Sequence, residues 1–225
     1  MFTPLPATVE SAQNPITEPK VELGRELFYD ARLSKNQDNS CNSCHDLANY
    51  GVDGKQVSVG HKGQKGTRNS PTVYNAAGHF AQFWDGRAAT VEEQAKGALV
   101  DPALMAMDEK RVVEVLKSIP QYVDSFKKAF PGDKDPVSLD NTAKTIGAFE
   151  RKLVTPSRWD KFLKGDKSAL TAEEQASFNT FFDEGCIACH TGAYVGGAVY
   201  QKAGLLKPWP DQKDQGRFEV TIDGM

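Results

Sequence analysis

The chain holds few of the side chains that bind soft metals: four cysteines and four histidines among 225 residues. A chain of this length can bury a core without bridges, so a disulfide scaffold is a poor account of four cysteines. No apolar run approaches the ~18 residues that a membrane-spanning helix needs. Neither sign of charge dominates. With 27 Lys and Arg against 30 Asp and Glu the net charge is −3, which offers no basic footprint for nucleic acid or an anionic membrane surface. Alternating apolar and polar runs are scarce, so few strands are expected and the fold class reads as mainly α. The opening Met1-Phe2-Thr3-Pro4-Leu5-Pro6 carries neither the basic nor the apolar region of a secretory signal.

What is present is Cys-x-x-Cys-His, twice. Cys41-Asn42-Ser43-Cys44-His45 and Cys186-Ile187-Ala188-Cys189-His190 together use every cysteine. This is the attachment motif of c-type haem: two thiols add across the haem vinyl groups and the adjacent imidazole ligates iron. A zinc ribbon places its two pairs about 15–20 residues apart, far closer than these, and gives no reason for a histidine after each. A thioredoxin-like redox pair wants a βαβ setting, and neither copy has one. Two c-type haems are therefore the expected cofactors. Covalent haem attachment takes place outside the bacterial cytoplasm, so a mature periplasmic chain is expected.

The apolar spacing predicts helices joined by long polar connections. Thr17 and Pro19 open a first helix that carries Leu23, Leu27 and Phe28 and ends near Asp30. From Val52 to Ala77 the chain is rich in Gly, Asn and Ser, an extended loop of the length that usually carries function. A second helical zone begins near Val91. Val112, Val113, Leu116 and Ile119 form one stripe, punctuated by Pro120; Tyr122, Val123, Phe126 and Phe130 form the next, stopped at Pro131-Gly132. Ile146, Phe149 and Leu153 form a third, ending before Pro156. Thr171 and Glu174 make a capping box for a helix expected to bury Phe178 and Phe181 or Phe182 and to run into the second motif. Two cytochrome c-like domains follow, 1–164 and 165–225, the second incomplete, with a hinge at Gly165–Ser168.

Function then turns on the face of each iron opposite His45 and His190. A strong sixth ligand gives electron transfer; an open or displaceable position permits chemistry. His61 lies in the Gly-rich loop, where it can approach or leave the first haem, although a solvated histidine is the ordinary alternative. His79 reads as a surface or partly buried residue. Met105 and Met107 read as packing residues. Met225 would need an ordered tail to act as a ligand, and no sixth ligand for the second haem can be named.

Several segments carry a family resemblance. Val57-Ser58-Val59-Gly60-His61, Gln64-Lys65-Gly66, Asn69-Ser70-Pro71-Thr72 and Gln82-Phe83-Trp84-Asp85-Gly86-Arg87-Ala88 with Glu93-Gln94-Ala95 resemble the bacterial dihaem cytochrome c peroxidases of the MauG-like group. Gly185 to Gly192 and Gly216-Arg217-Phe218 extend the match over nearly the whole chain. The resemblance implies a peroxidatic haem on Cys41, Cys44 and His45, with His61 as its resting sixth ligand, and an electron-accepting haem on Cys186, Cys189 and His190. It implies Trp84 between the haems, Gln94 in the peroxide pocket and Asn69 as a calcium ligand. It also implies hydrogen peroxide as substrate, a small c-type cytochrome or cupredoxin as donor, and a homodimer.

Two departures qualify it. Leu104 stands where the family carries a pocket glutamate, and leucine moves no proton; either Asp101, Asp108 or Glu109 substitutes, or turnover is impaired. The chain also stops short of the family's C-terminal part, which supplies the methionine opposite the second haem. The alternatives are a dihaem electron-transfer protein without catalysis and a MauG-like oxidase of a protein substrate.

Overall fold

A computed structural model describes residues 1–202, 204–210 and 213–222. Met225 lies outside the described residues. The helices are α1 (Glu18–Tyr29), α2 (Cys41–Cys44), α3 (Val91–Val100), α4 (Glu109–Lys117), α5 (Pro120–Ala129), α6 (Leu139–Glu150), α7 (Arg158–Leu163), α8 (Ala172–Asp183) and α9 (Arg217–Ile222). Among the described residues β-pairing is limited to two isolated bridges, Val59 with Lys65 and Gln82 with Ala88. The fold is mainly α, as the patterning predicts.

Helix α6 is the hub. Ser138 caps it by accepting the Asn141 N–H, and it is buried on nearly every side, including Ile146, Ala148 and Phe149. A helix whose wet face is reduced to Asp140 and Lys144 belongs at the centre of a core. Helix α1, with Thr17 as N-cap and Pro19 in its first turn, lays Leu23, Leu27 and Phe28 against it. Phe28 and Phe149 meet edge to face at 5.3 Å between ring centroids, a preferred aromatic geometry. Gly24 makes this approach possible, since a Cβ there would overlap the Thr145 carbonyl. Gly24→Ala is expected to push α1 off α6 and cost about 1–3 kcal/mol, read as a lowered urea midpoint.

Helices α4 and α5 complete this core with Val112, Leu116, Tyr122 and Phe126. Asp108 caps α4 through the Arg111 N–H at 2.9 Å, and Pro120 starts α5. Met105 and Met107 are buried, the packing role expected of them. One polar network runs through the assembly. Arg151, at the end of α6, binds Glu92 of α3 through Nε and Nη2 at 2.8 and 2.9 Å, and Asn14 adds a third bond to Glu92 at 2.9 Å.

Beyond Leu153 the chain leaves this core. Helix α7 was not anticipated, although Ser157 and Asp160 form a capping box. Helix α8 begins at the predicted Thr171 and Glu174 box, but no residue of it is fully buried. The expected burial of Phe178 with Phe181 or Phe182 is therefore corrected: Phe178 and Phe181 are half-buried and Phe182 is exposed. The physical reason is thin cover. Among the described residues the aromatic rings that Phe178 meets are those of Phe2 and Trp159, and it lines an open groove. The N-terminal segment straps this region: the Leu5 N–H donates to Asp160 Oδ1 at 2.7 Å, and the Met1 carbonyl accepts from Gly192.

Candidate haem-binding site

Helix α2 is a single turn. Ser40 and Ser43 close a capping box over its start, and the three-residue spacing of Cys41 and Cys44 puts both thiols on one side. His45 caps the turn, its N–H donating to the Cys41 carbonyl at 2.9 Å. Both thiols and the imidazole thus line one cavity of about 270 Å³. His45 Nδ1 sits 2.9 Å from the Pro71 carbonyl oxygen. With the proton placed there, Nε2 is the nitrogen left for iron. Burial holds His45 below its ordinary value, keeping it neutral as a ligand must be. Burial pushes the Cys41 thiol up to about 12, with Glu150 adding to the rise, and raises Cys44 as well. A redox or catalytic cysteine pair needs the opposite, a stabilised thiolate.

The structure brings Asn69, Trp84, Gln94 and Leu104 to the wall of this same cavity. Gln94 arrives on α3 beside Ala95 and Ala98. Trp84 is 59 % exposed, and its Nε1–H donates to the Asn69 carbonyl at 3.0 Å. The Asn69 side-chain amide lies 3.5 Å from the Ser70 carbonyl. Leu104 follows α3 in a turn, and its carbonyl accepts the His61 N–H at 2.8 Å.

His61 does not line the cavity, although Gly60 does. The imidazole is buried at 6 % exposure, and its Nδ1 has no hydrogen-bond partner. Gly60 lies so close to Ala103 and Leu104 that a Cβ would overlap the Ala103 carbonyl. The turn that follows, His61–Gly63, holds Lys62 and Gly63 in the left-handed region at φ 57° and 73°.

The second motif is more open. Cys186 to Ala188 form a 3₁₀ turn after Gly185, whose φ of 77° suits glycine. Cys186 and Cys189 are exposed. His190 repeats the arrangement of His45, with Nδ1 2.9 Å from the Val195 carbonyl, and meets the Phe181 ring edge at 6.0 Å. Phe181 and Val195 belong to an open groove of about 410 Å³ lined also by Phe2, Trp159 and Phe178.

The segment after this motif returns to the first cavity. Arg68 bridges Asp85 and Asp214, and Arg217 donates to the Asp85 and Gly86 carbonyls at 2.9 and 3.0 Å. Tyr194 meets the His79 ring at 5.6 Å, which gives His79 a packing partner. Sequence reasoning did not single out Arg68 or Asp85 for this role, because nothing in their local spacing announces a partner so distant along the chain.

The donor sets fit haem. Each motif aims two unpaired thiols and an imidazole with its Nδ1 already engaged, and the first encloses them in a cavity. Among the described residues no three His, Cys, Asp or Glu side chains gather as a protein-only metal cage, so the four cysteines do not form the zinc cluster weighed as a rival.

A mainly helical chain carrying two such motifs is a c-type cytochrome of the dihaem class. Comparison with known proteins narrows this. The family model described as di-haem cytochrome c peroxidase matches residues 18–168. The chain is 48 % identical to a cytochrome c551 peroxidase of Pseudomonas aeruginosa over 98 % of its own length, and 45 % identical to one of Nitrosomonas europaea over 93 %. It is 37 % identical over 79 % of its length to the methylamine utilization protein MauG of Methylorubrum extorquens. It spans 66 %, 63 % and 51 % of those three proteins respectively. The crystal structure of a MauG-like protein associated with microbial copper homeostasis superposes with a TM-score of 0.80 at 30 % identity, over 98 % of this chain and 69 % of that one. The chain belongs to the di-haem cytochrome c peroxidase family, whose cofactors are c-type haems.

Proposed function

We propose that the chain is a periplasmic dihaem peroxidase that reduces hydrogen peroxide to two waters with electrons from a small c-type cytochrome or cupredoxin. One observation carries this reading: a single cavity gathers Cys41, Cys44 and His45 with Gln94 and Trp84. When bound, the haems supply iron for peroxide chemistry and for electron storage. The remaining tasks fall to the chain.

His45, its Nδ1 held by the Pro71 carbonyl, would hold the first haem iron through the other ring nitrogen. Gln94 offers an amide donor and acceptor to orient peroxide at the cavity wall. Trp84, anchored by Asn69, presents an exposed indole for electron passage. His61 is the movable ligand: its unpartnered buried Nδ1, one residue from the wall, is the mark of an imidazole with a second place to go. His190, its Nδ1 held by the Val195 carbonyl, would hold the second haem iron. A calcium contact at Asn69 and a homodimer rest on the resemblance, and a domain boundary at residue 165 rests on the spacing of the two motifs.

Stopped-flow mixing of the half-reduced, haem-loaded protein with peroxide tests the reading. Rapid haem oxidation is expected; oxidation no faster than the buffer background would sink it. Leu104 favours a second reading, dihaem electron transfer without catalysis. That reading predicts six-coordinate haems in both redox states, which EPR of the half-reduced protein distinguishes.

A further inference from the structure

Glu150 ends α6 and lines the haem cavity. The residue is only 5 % exposed, and its carboxyl makes no hydrogen bond or ion pair among the described residues. The groups around it explain why. Arg151 is its neighbour in the chain, but that guanidinium is committed to Glu92. Glu92 approaches from α3 and Cys41 from α2; neither can neutralise a carboxylate. Across the cavity, Arg68 is engaged by Asp85 and Asp214, and Arg87 by Asp85. None of these cations forms an ion pair with Glu150. Burial, reinforced by Glu92 and only partly offset by the Arg151 charge, pushes its carboxyl up to about 8. At neutral pH the group therefore holds a proton.

Peroxide reduction needs such a group. Leu104 also faces the cavity and carries no proton. The substitutes expected from sequence fare poorly: Asp108 is exposed and caps α4, Glu109 is exposed, and neither lines the cavity. Asp101 does line it, but its Oδ1 accepts the Ala103 N–H at 2.8 Å. We propose that Glu150 is the proton-carrying acid of this cavity and gives its proton to bound peroxide. This rests on the peroxidase reading above. In the step the Glu150 O–H bond breaks as the peroxide O–O bond breaks, and a new O–H bond forms in the departing water. The carboxylate recovers its proton from solvent, solvent supplies the second proton, and the protein donor supplies both electrons.

The test uses the haem-loaded chain and its Glu150→Gln and Glu150→Asp variants. In wild type an infrared band of a protonated carboxylic acid is expected at neutral pH, fading as pH rises through about 8 and absent from Glu150→Gln. Peroxide turnover in Glu150→Gln should fall about 10²–10⁴-fold at unchanged haem content and visible spectrum. Glu150→Asp should recover part of it. Wild-type turnover should decline on the alkaline side, and the residual turnover of Glu150→Gln should lose that decline. An infrared band that survives in Glu150→Gln overturns the proposal. So does Glu150→Gln turnover within twofold of wild type. An inactive wild type is a different outcome, since it overturns the peroxidase reading itself. If Glu150→Gln fails to load haem, the Glu150→Asp band and pH profile decide: unchanged turnover with a displaced band overturns the proposal.

Discussion

His45→Ala is expected to abolish peroxide turnover while leaving the first haem attached. Covalent attachment runs through Cys41 and Cys44, which this change does not touch, so haem content measured after denaturation should remain near wild type. The iron loses the imidazole that the Pro71 carbonyl orients, and with it the electron donation that supports peroxide chemistry. His190→Ala makes the comparison informative. Its cysteines lie outside the cavity that gathers Gln94 and Leu104, so half-reduced His190→Ala should lose ordinary electron delivery while its first haem still binds peroxide. If the two variants behave in reverse, the assignment of the catalytic haem to the first motif is wrong.

The second large effect concerns stability. Arg151→Met should destabilise the chain by about 3–5 kcal/mol, because it strips a buried carboxylate of its partner. Arg151 and Glu92 expose only 7 % and 13 % of their side chains. Burial alone would raise Glu92, but its bonds from Arg151 and Asn14 prevail and hold it below its ordinary value. A lowered carboxylate contributes stability that is present above its unfolded value and lost as pH falls through the folded one. Glu150 has the opposite sign. Raised to about 8, it favours folding most below its unfolded value and loses that contribution as pH rises through 8. At about 1.4 kcal/mol per unit, the alkaline loss is at most about 5 kcal/mol. Stability should therefore peak in the mildly acidic range. Urea midpoints measured across pH check both limbs: Arg151→Met should flatten the acid side, and Glu150→Gln the alkaline side. The double change Glu92→Gln with Arg151→Met should recover part of the loss.

Helices with one wet face were legible in the sequence. Leu23, Leu27 and Phe28 announce α1, and Thr171 with Glu174 announces α8, because local spacing and capping fix these elements. The chemistry of the first motif was equally legible, since two thiols and an imidazole on one turn need no tertiary information. What escaped was decided by packing. Phe178 and Phe181 look like core residues, yet among the described residues too little packs over α8 to bury them. Glu150 looks like an ordinary charged helix end. Only the packing of α6, enclosed on nearly every side, shows that a charge at its terminus must be buried too. His61 was placed correctly in a loop, but whether it faces the cavity or the back of the Leu104 turn depends on how Gly60 docks, and spacing does not encode that.

The N-terminal strap bears on how the chain assembles. Phe2 and Leu5 find their partners on α7 and α8, at the far end of the sequence from where they are synthesised. Helices α1 and α3 to α6 can close on one another early, because their contacts lie within one continuous stretch. The first residues must wait. Until α8 has emerged they hang apolar and unpaired, and closing so long a loop is entropically slow. The region around the second motif thus becomes rigid later than the α1 to α6 core. On the peroxidase reading, a haem bound for Cys186 and Cys189 would meet that part of the chain while it is still open.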